Sequence, residues 1–134
     1  MTKSKILQLA IATCIVALVG FGSAAAAERK VYDPTSFAAA EASGARILVD
    51  ISATWCPTCK AQQPIIDSLA NQQDNKDLVI FAVDFDSQKQ IVRDFGAQMQ
   101  STLIAFKGSA ETGRSVGDTD PDSIAALVGS NRAN

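Results

Sequence analysis

Val49-Asp50-Ile51-Ser52-Ala53-Thr54-Trp55-Cys56-Pro57-Thr58-Cys59-Lys60 runs from the end of an apolar segment into two closely spaced cysteines. The segment leading into it, Arg46-Ile47-Leu48-Val49-Asp50-Ile51, has strand length and the near-continuous hydrophobicity of a buried parallel strand. Pro57 stands where a helix would begin, because a missing N–H costs nothing in the first turn. The polar–apolar pattern continues to about Gln73, and Pro64 inside it should kink the helix. Cys56 would then sit at the helix start, where unpaired N–H groups and the positive end of the dipole favour a thiolate. The thiolate is the species that attacks disulfides. Cys59 lies one turn further in, within reach of Cys56 and expected to be the more buried of the two. A reaction follows from this placement. Cys56 attacks a substrate disulfide to give a mixed disulfide, and Cys59 then attacks Cys56 and releases the reduced substrate.

The remaining residues of the stretch support that reading. A disulfide between cysteines so close would close a tiny loop and stabilise little, since chain-entropy stabilisation grows with loop length. Zinc normally takes four ligands, and the chain offers no second CxxC and no histidine, so no metal site is expected. Trp55 should shield the thiol and line the contact surface. Asp50 interrupts an apolar strand, where a charge is costly unless it serves a role; the alternative is an exposed aspartate at a strand end. Desolvation favours the protonated form of a buried carboxyl, and such a group could take the proton from Cys59 as that thiol attacks. Lys60 reads as a solvated helix residue.

Outward from the cysteines, Asp33-Pro34-Thr35 forms a helix start, with the helix carried by Phe37 to Ala42 and stopped at Ser43-Gly44. Leu78 to Val83 reads as a second buried strand, followed by a short helix from Ser87 to Phe95 closed by Gly96. Thr102 to Lys107 is a third strand, Gly108 to Gly113 a turn region, and Arg114-Ser115-Val116 its hairpin partner. Asp120-Pro121 opens a last helix through Leu127 and Val128. The expected class is α/β, with a central mixed sheet flanked by helices in one domain over 28–134.

Residues 1–27 read as a signal peptide. Lys3 and Lys5 form a basic start, a 17-residue apolar run extends from Ile6 to Gly22, and Ser23 to Ala27 supply small side chains. Cleavage after Ala25, Ala26 or Ala27 leaves about 107–109 residues; the alternative is an uncleaved anchor, at the short limit for spanning a bilayer. Either outcome puts the domain outside the cytoplasm, in the periplasm or tethered to the membrane facing it. Cys14 would leave with a cleaved signal. Beyond residue 27 there are 10 basic and 14 acidic residues and no basic stripe, so nucleic acid is not an expected partner.

The stretch Val49–Lys60 resembles the active-site segment of thioredoxins. The resemblance extends over nearly all of 28–134: Pro64 matches the family's kinking proline, Phe95-Gly96 and Ser101 to Lys107 match the approach to the third strand, and Gly117 fits a glycine near the hairpin end. It implies a thioredoxin fold, Cys56 as nucleophile, Cys59 as resolving thiol, Asp50 as buried base, and no cofactor beyond the Cys56–Cys59 disulfide. Three positions depart from the pattern. Pro57-Thr58 replaces the Gly-Pro of cytoplasmic thioredoxins, so the direction of net electron flow does not carry over. Ala82 stands where thioredoxins often have a lysine near the buried aspartate. Ser101 takes the place of the cis-proline that faces the cysteines and aligns substrate backbone. A cis bond before serine costs about 2.5–4 kcal/mol, against roughly 0.5–1 before proline. The Gln100–Ser101 peptide is therefore expected to be trans, with a reshaped loop and the hydroxyl free to contact the Cys56 sulfur or the substrate. The other reading is a loop that still docks substrate through its backbone.

The expected function is reduction of disulfides in oxidised envelope proteins. Electrons would come from a membrane thiol donor of the DsbD or CcdA kind, and the domain would act as a monomer. Two rivals stand beside it. A DsbA-type dithiol oxidase normally carries an inserted helical domain, for which there is no room here. A Cu(I)-handling metallochaperone would use the two soft thiolates, although Met99 is the single methionine beyond the signal segment. A structural adaptor with an incidental disulfide is the plainest alternative.

Overall fold

The computed structural model describes residues 26–132. The proposed signal segment, apart from Ala26 and Ala27, lies outside these residues, as does Cys14. The elements are β1 (Glu28–Val31), α1 (Pro34–Ala42), β2 (Arg46–Ser52), α2 (Pro57–Ala70), a 3-10 turn at Gln73–Asn75, β3 (Leu78–Asp84), α3 (Lys89–Asp94), β4 (Thr102–Lys107), β5 (Ala110–Val116) and α4 (Pro121–Gly129). The five strands form one sheet in the order β1-β3-β2-β4-β5. β1, β3 and β2 run parallel, while β4 is antiparallel to β2 and β5 to β4.

β2 is the central strand, and every residue from Arg46 to Ile51 is buried. That double-sided burial explains the continuous apolar run, since successive side chains go to opposite faces and both faces are covered. Ile47, Val49 and Ile51 pack with Phe81 and Val83 of β3 beneath Phe37 of α1 and Val92 of α3. Phe37 meets Phe81 and Phe95 edge-on, each at 5.3 Å between ring centres. On the opposite face Leu48, Leu78, Ile80 and Leu103 pack against Ile66 and Leu69 of α2 and Ile124 and Val128 of α4. Asp33 caps α1 by accepting the Ser36 amide at 2.9 Å, and Asp120 caps α4 by accepting that of Ser123 at 2.8 Å.

Four boundaries differ from the sequence expectation. β1 is additional: its four residues include three charged ones and lie at the sheet edge, so no apolar alternation marks it. β5 begins at Ala110, so the expected turn over Gly108–Gly113 is mostly strand. Its residues are largely exposed and a register shift opposite Ala105 and Phe106 breaks the pattern. α3 starts at Lys89, because the Ser87 amide and hydroxyl are held by the Asp84 carboxylate in a turn before it. α2 ends at Ala70, and the chain folds through the 3-10 turn instead of continuing to Gln73.

At the opposite end of β2 from the cysteines, the Arg46 guanidinium is 4% exposed and fully occupied. Nε donates to Asn131 Oδ1 at 2.9 Å, Nη1 to Asp77 Oδ1 at 2.7 Å and the Asp74 carbonyl at 3.0 Å, and Nη2 to Asn75 Oδ1 at 3.0 Å and the Val128 carbonyl at 3.2 Å. One side chain thus ties β2 to the α2–β3 connection and to the end of α4. Substituting Arg46→Ala should lower the unfolding free energy by about 3 kcal/mol, because it strands several buried acceptors. Urea denaturation checks this, and a loss below about 1 kcal/mol contradicts the clasp.

Ser101 is the one described non-glycine residue with positive φ, at 57°, and its peptide bond to Gln100 is trans. The left-handed region costs an L-residue roughly 1–2 kcal/mol, and a β-branched side chain fits it worst. Ser101→Gly should therefore raise stability by about 0.5–1 kcal/mol, and Ser101→Val should lower it. Equal urea midpoints for the two variants would mean that this backbone is not strained.

Candidate active site

β2 ends at Ser52 and α2 begins at Pro57, so four residues turn the chain from sheet to helix. Cys56 is the N-cap of α2, with extended backbone angles (φ −81°, ψ 113°). Its Sγ takes the place of the usual capping oxygen and accepts the Cys59 amide at 3.1 Å, while its carbonyl accepts the Lys60 amide at 3.1 Å. The two cysteines form a disulfide, with Cα atoms 5.3 Å apart. The expected difference in burial is absent: Cys56 is 1% and Cys59 2% exposed. The capping geometry folds the Cys56 sulfur back over the helix end, so both cysteines rest against Ala53 and Phe85. Once the disulfide is reduced, the amide that now caps the helix through Sγ faces the Cys56 sulfur and favours its thiolate.

The neighbouring residues frame this pair. Trp55 is 55% exposed and its indole N–H donates to Asp86 Oδ2 at 2.7 Å, which pins the ring beside the disulfide. Pro57 is exposed at the first helical position, Thr58 is half-buried, and Lys60 is exposed. The Ser87 amide and hydroxyl, at 2.7 Å each, hold Asp84 below the usual carboxylate range, so it stays an anion at the end of β3.

The Ser101 hydroxyl donates to the Gln100 carbonyl at 2.6 Å. That bond corrects the expectation that the hydroxyl contacts the Cys56 sulfur, because a left-handed backbone turns Oγ onto the preceding peptide. The Ser101 carbonyl accepts the Gly117 amide at 2.9 Å and Gln62 Nε2 at 3.3 Å, and the same Nε2 donates to the Asp118 carbonyl at 2.8 Å. Gln62 is completely buried and so ties α2 to the loops that carry Ser101 and Asp118.

Asp50 is 1% exposed, on the face of the sheet that α2 covers. Its Oδ2 accepts Gln63 Nε2 at 2.9 Å and Arg29 Nη1 at 3.3 Å; the same Nη1 lies 3.4 Å from Gln63 Oε1, closing a triangle. A cavity of about 290 Å³ opens beside this group and is lined by Arg29, Cys59, Lys60, Gln63, Ala82 and Asp84, among others. The structure thus brings Cys56, Cys59, Trp55 and Pro57 to one helix entrance, with Asp50 behind α2. Arg29, Gln62, Gln63 and Asp86 were not foreseen. Gln62 carried a signal: Cys59, Gln62, Ile66 and Leu69 form the buried stripe of α2, in which a glutamine is out of place. Arg29 carried none, since nothing marked its strand.

The arrangement is that of a dithiol that opens and closes by exchange, with the redox group made of the protein's own side chains. Comparison with known proteins agrees. The Thioredoxin family model matches residues 29–130. The thioredoxin of Chlamydia muridarum is 35% identical over 99 residues, covering 74% of this chain and 94% of the relative, and that of Chlamydia trachomatis matches to the same extent. The crystal structure of Trxlp from Edwardsiella tarda superposes with a TM-score of 0.73 at 39% identity, covering 75% of this chain and 98% of its own. A thioredoxin from Halobacterium salinarum, 24% identical, shares the fold with a TM-score of 0.69 over 82% of this chain and 96% of its own. A buried Cys-x-x-Cys disulfide at the start of α2, on a mixed sheet covered on both faces, thus coincides with a family match over most of the chain, and the protein belongs to the thioredoxin family of thiol–disulfide oxidoreductases.

Proposed function

We propose that this thioredoxin works as a reductase of oxidised proteins in the bacterial cell envelope. The observation that carries the direction is how little holds the Cys56 sulfur. Its hydrogen bond among the described residues is a single one, from the Cys59 amide, and the chain contains no histidine. A strong dithiol oxidant is one whose reduced form is heavily stabilised. One amide bond and a helix end supply a modest thiolate preference, which fits the reducing end of the family range.

The surface around the disulfide fits protein clients. Ile51, Thr102 and Val116 lie at one level across the sheet, at the end from which Cys56 emerges. Val116 and Met99 there are 54% and 53% exposed, as is Trp55 nearby at 55%. Large apolar side chains left open near a reactive disulfide give a partner's chain something to bury. In the resolving step, the Cys59 proton passes to Asp50, the Cys59 sulfur bonds to Cys56 Sγ, and the bond from Cys56 to the client sulfur breaks. The client leaves as a thiolate and takes its proton from water.

The envelope location rests on the apolar run Ile6–Gly22 and the small residues after it. A membrane thiol donor of the DsbD or CcdA kind would return the electrons, and the domain would act as a monomer.

Equilibration with glutathione buffers tests the direction. A potential close to that of thioredoxin, about −270 mV, is expected. A value near the about −120 mV of a dithiol oxidant would overturn the reductase reading.

A further inference from the structure

Asp50 lies deep in the sheet, yet a cation reaches it from an unexpected side. The residue beside it in register on β3 is Ala82, and on β4 it is Leu103, neither of which carries charge. Arg29 belongs to β1, one strand further out, opposite Ile80. Because side chains alternate across a strand, Arg29, Ile80 and Ala82 share the face on which Asp50 sits. The methyl group of Ala82 leaves room for the arginine side chain to cross β3 beneath α2. There Nη1 meets Asp50 Oδ2 at 3.3 Å, and Nη2 meets Asp67 Oδ1 on α2 at 3.0 Å.

The two carboxylates are unlike. Asp67 is 61% exposed and Asp50 1%, with Arg29 between them at 33%. A surface pair of this kind is worth little, whereas a charge taken out of water needs its partner. The guanidinium therefore matters chiefly to Asp50. Together with Gln63 it occupies Oδ2, and Oδ1 has no hydrogen-bond partner. Arg29 and Gln63 also line the cavity of about 290 Å³ that contains Cys59, and a space of that size readily holds water.

We propose that Arg29 is the positioning residue for Asp50 in the resolving step. It balances the buried charge and, with Gln63, fixes Oδ2, so that Oδ1, buried and without a hydrogen-bond partner, remains the acceptor for the proton leaving Cys59. The proton moves from Cys59 Sγ to Asp50 past Arg29 and Gln63, which line the same cavity as Cys59, and the Cys59 sulfur closes on Cys56 as the outgoing sulfur departs. The charged groups facing this site are Arg29 from β1, Asp67 and Lys60 from α2, and Asp84 from the end of β3. The inference rests on Asp50 as the acceptor, but not on the direction of net electron flow.

Single-turnover reaction of the reduced protein with 5,5′-dithiobis(2-nitrobenzoate) separates the two. The first thionitrobenzoate is released by Cys56 and the second by Cys59, so the second phase reads the resolving step alone. Its rate is followed against pH at low ionic strength. In Arg29→Gln the acid limb of that profile should move to higher pH, because a cation beside a carboxylate favours its charged form. Arg29→Lys should restore the limb. Asp67→Asn, a surface change that does not threaten the fold, should move it to lower pH by leaving Arg29 to Asp50. Profiles for Arg29→Gln and Asp67→Asn that coincide with the wild type, while Asp50→Asn removes the limb, would overturn the role of Arg29 and leave Asp50 in place. An Asp50→Asn profile that coincides with the wild type would overturn both.

Discussion

A single hydrogen bond organises this site: the Cys59 amide donates to the sulfur of Cys56 at the first turn of α2. That bond exists because β2 delivers the chain to the helix in four residues and leaves Cys56 at the N-cap, where a side-chain acceptor reaches the third helical amide. A sulfur standing in for a capping oxygen is anchored to the helix by its own resolving partner. Exchange between the two cysteines therefore needs no large movement of the backbone. The rest of the fold keeps this junction still. β2 is buried on both sides, Arg46 secures its far end, and Gln62 ties the first two turns of α2 to the loops carrying Ser101 and Asp118.

Charge is distributed sparingly around that junction. The sulfur has one amide, the buried carboxylate has one guanidinium and one side-chain amide, and histidine is absent from the chain. Asp50 is affordable inside the sheet because Arg29 reaches it across the space left by Ala82. The cation thus enters from the sheet edge and not from the neighbouring strand. This route leaves a cavity open beside Cys59, where a longer side chain at position 82 would fill it.

Much of this was legible in the residues themselves. The apolar run of β2, the proline after Cys56 and the two-residue spacing between the cysteines each follow from a local rule, and together they fix the sheet-to-helix turn. The caps of α1 and α4 were readable for the same reason. What escaped notice depends on tertiary contact. β1 has no apolar alternation because its outer edge faces solvent, so Arg29 looked like a surface charge. Ser101 was recognisable as a departure, but its left-handed backbone is imposed by the loop around it and left no local trace. Equal burial of the two cysteines likewise reflects how the Cys56 sulfur folds over the helix end, which spacing alone does not specify.

Competitive alkylation of the reduced protein with iodoacetamide at neutral pH, read by mass spectrometry of the two cysteine positions, tests the organising bond most directly. The account predicts that Cys56 is modified well ahead of Cys59 and faster than an unstructured thiol. Equal, slow modification of both cysteines would mean that the helix entrance does not activate Cys56, and the catalytic assignment would fall with it.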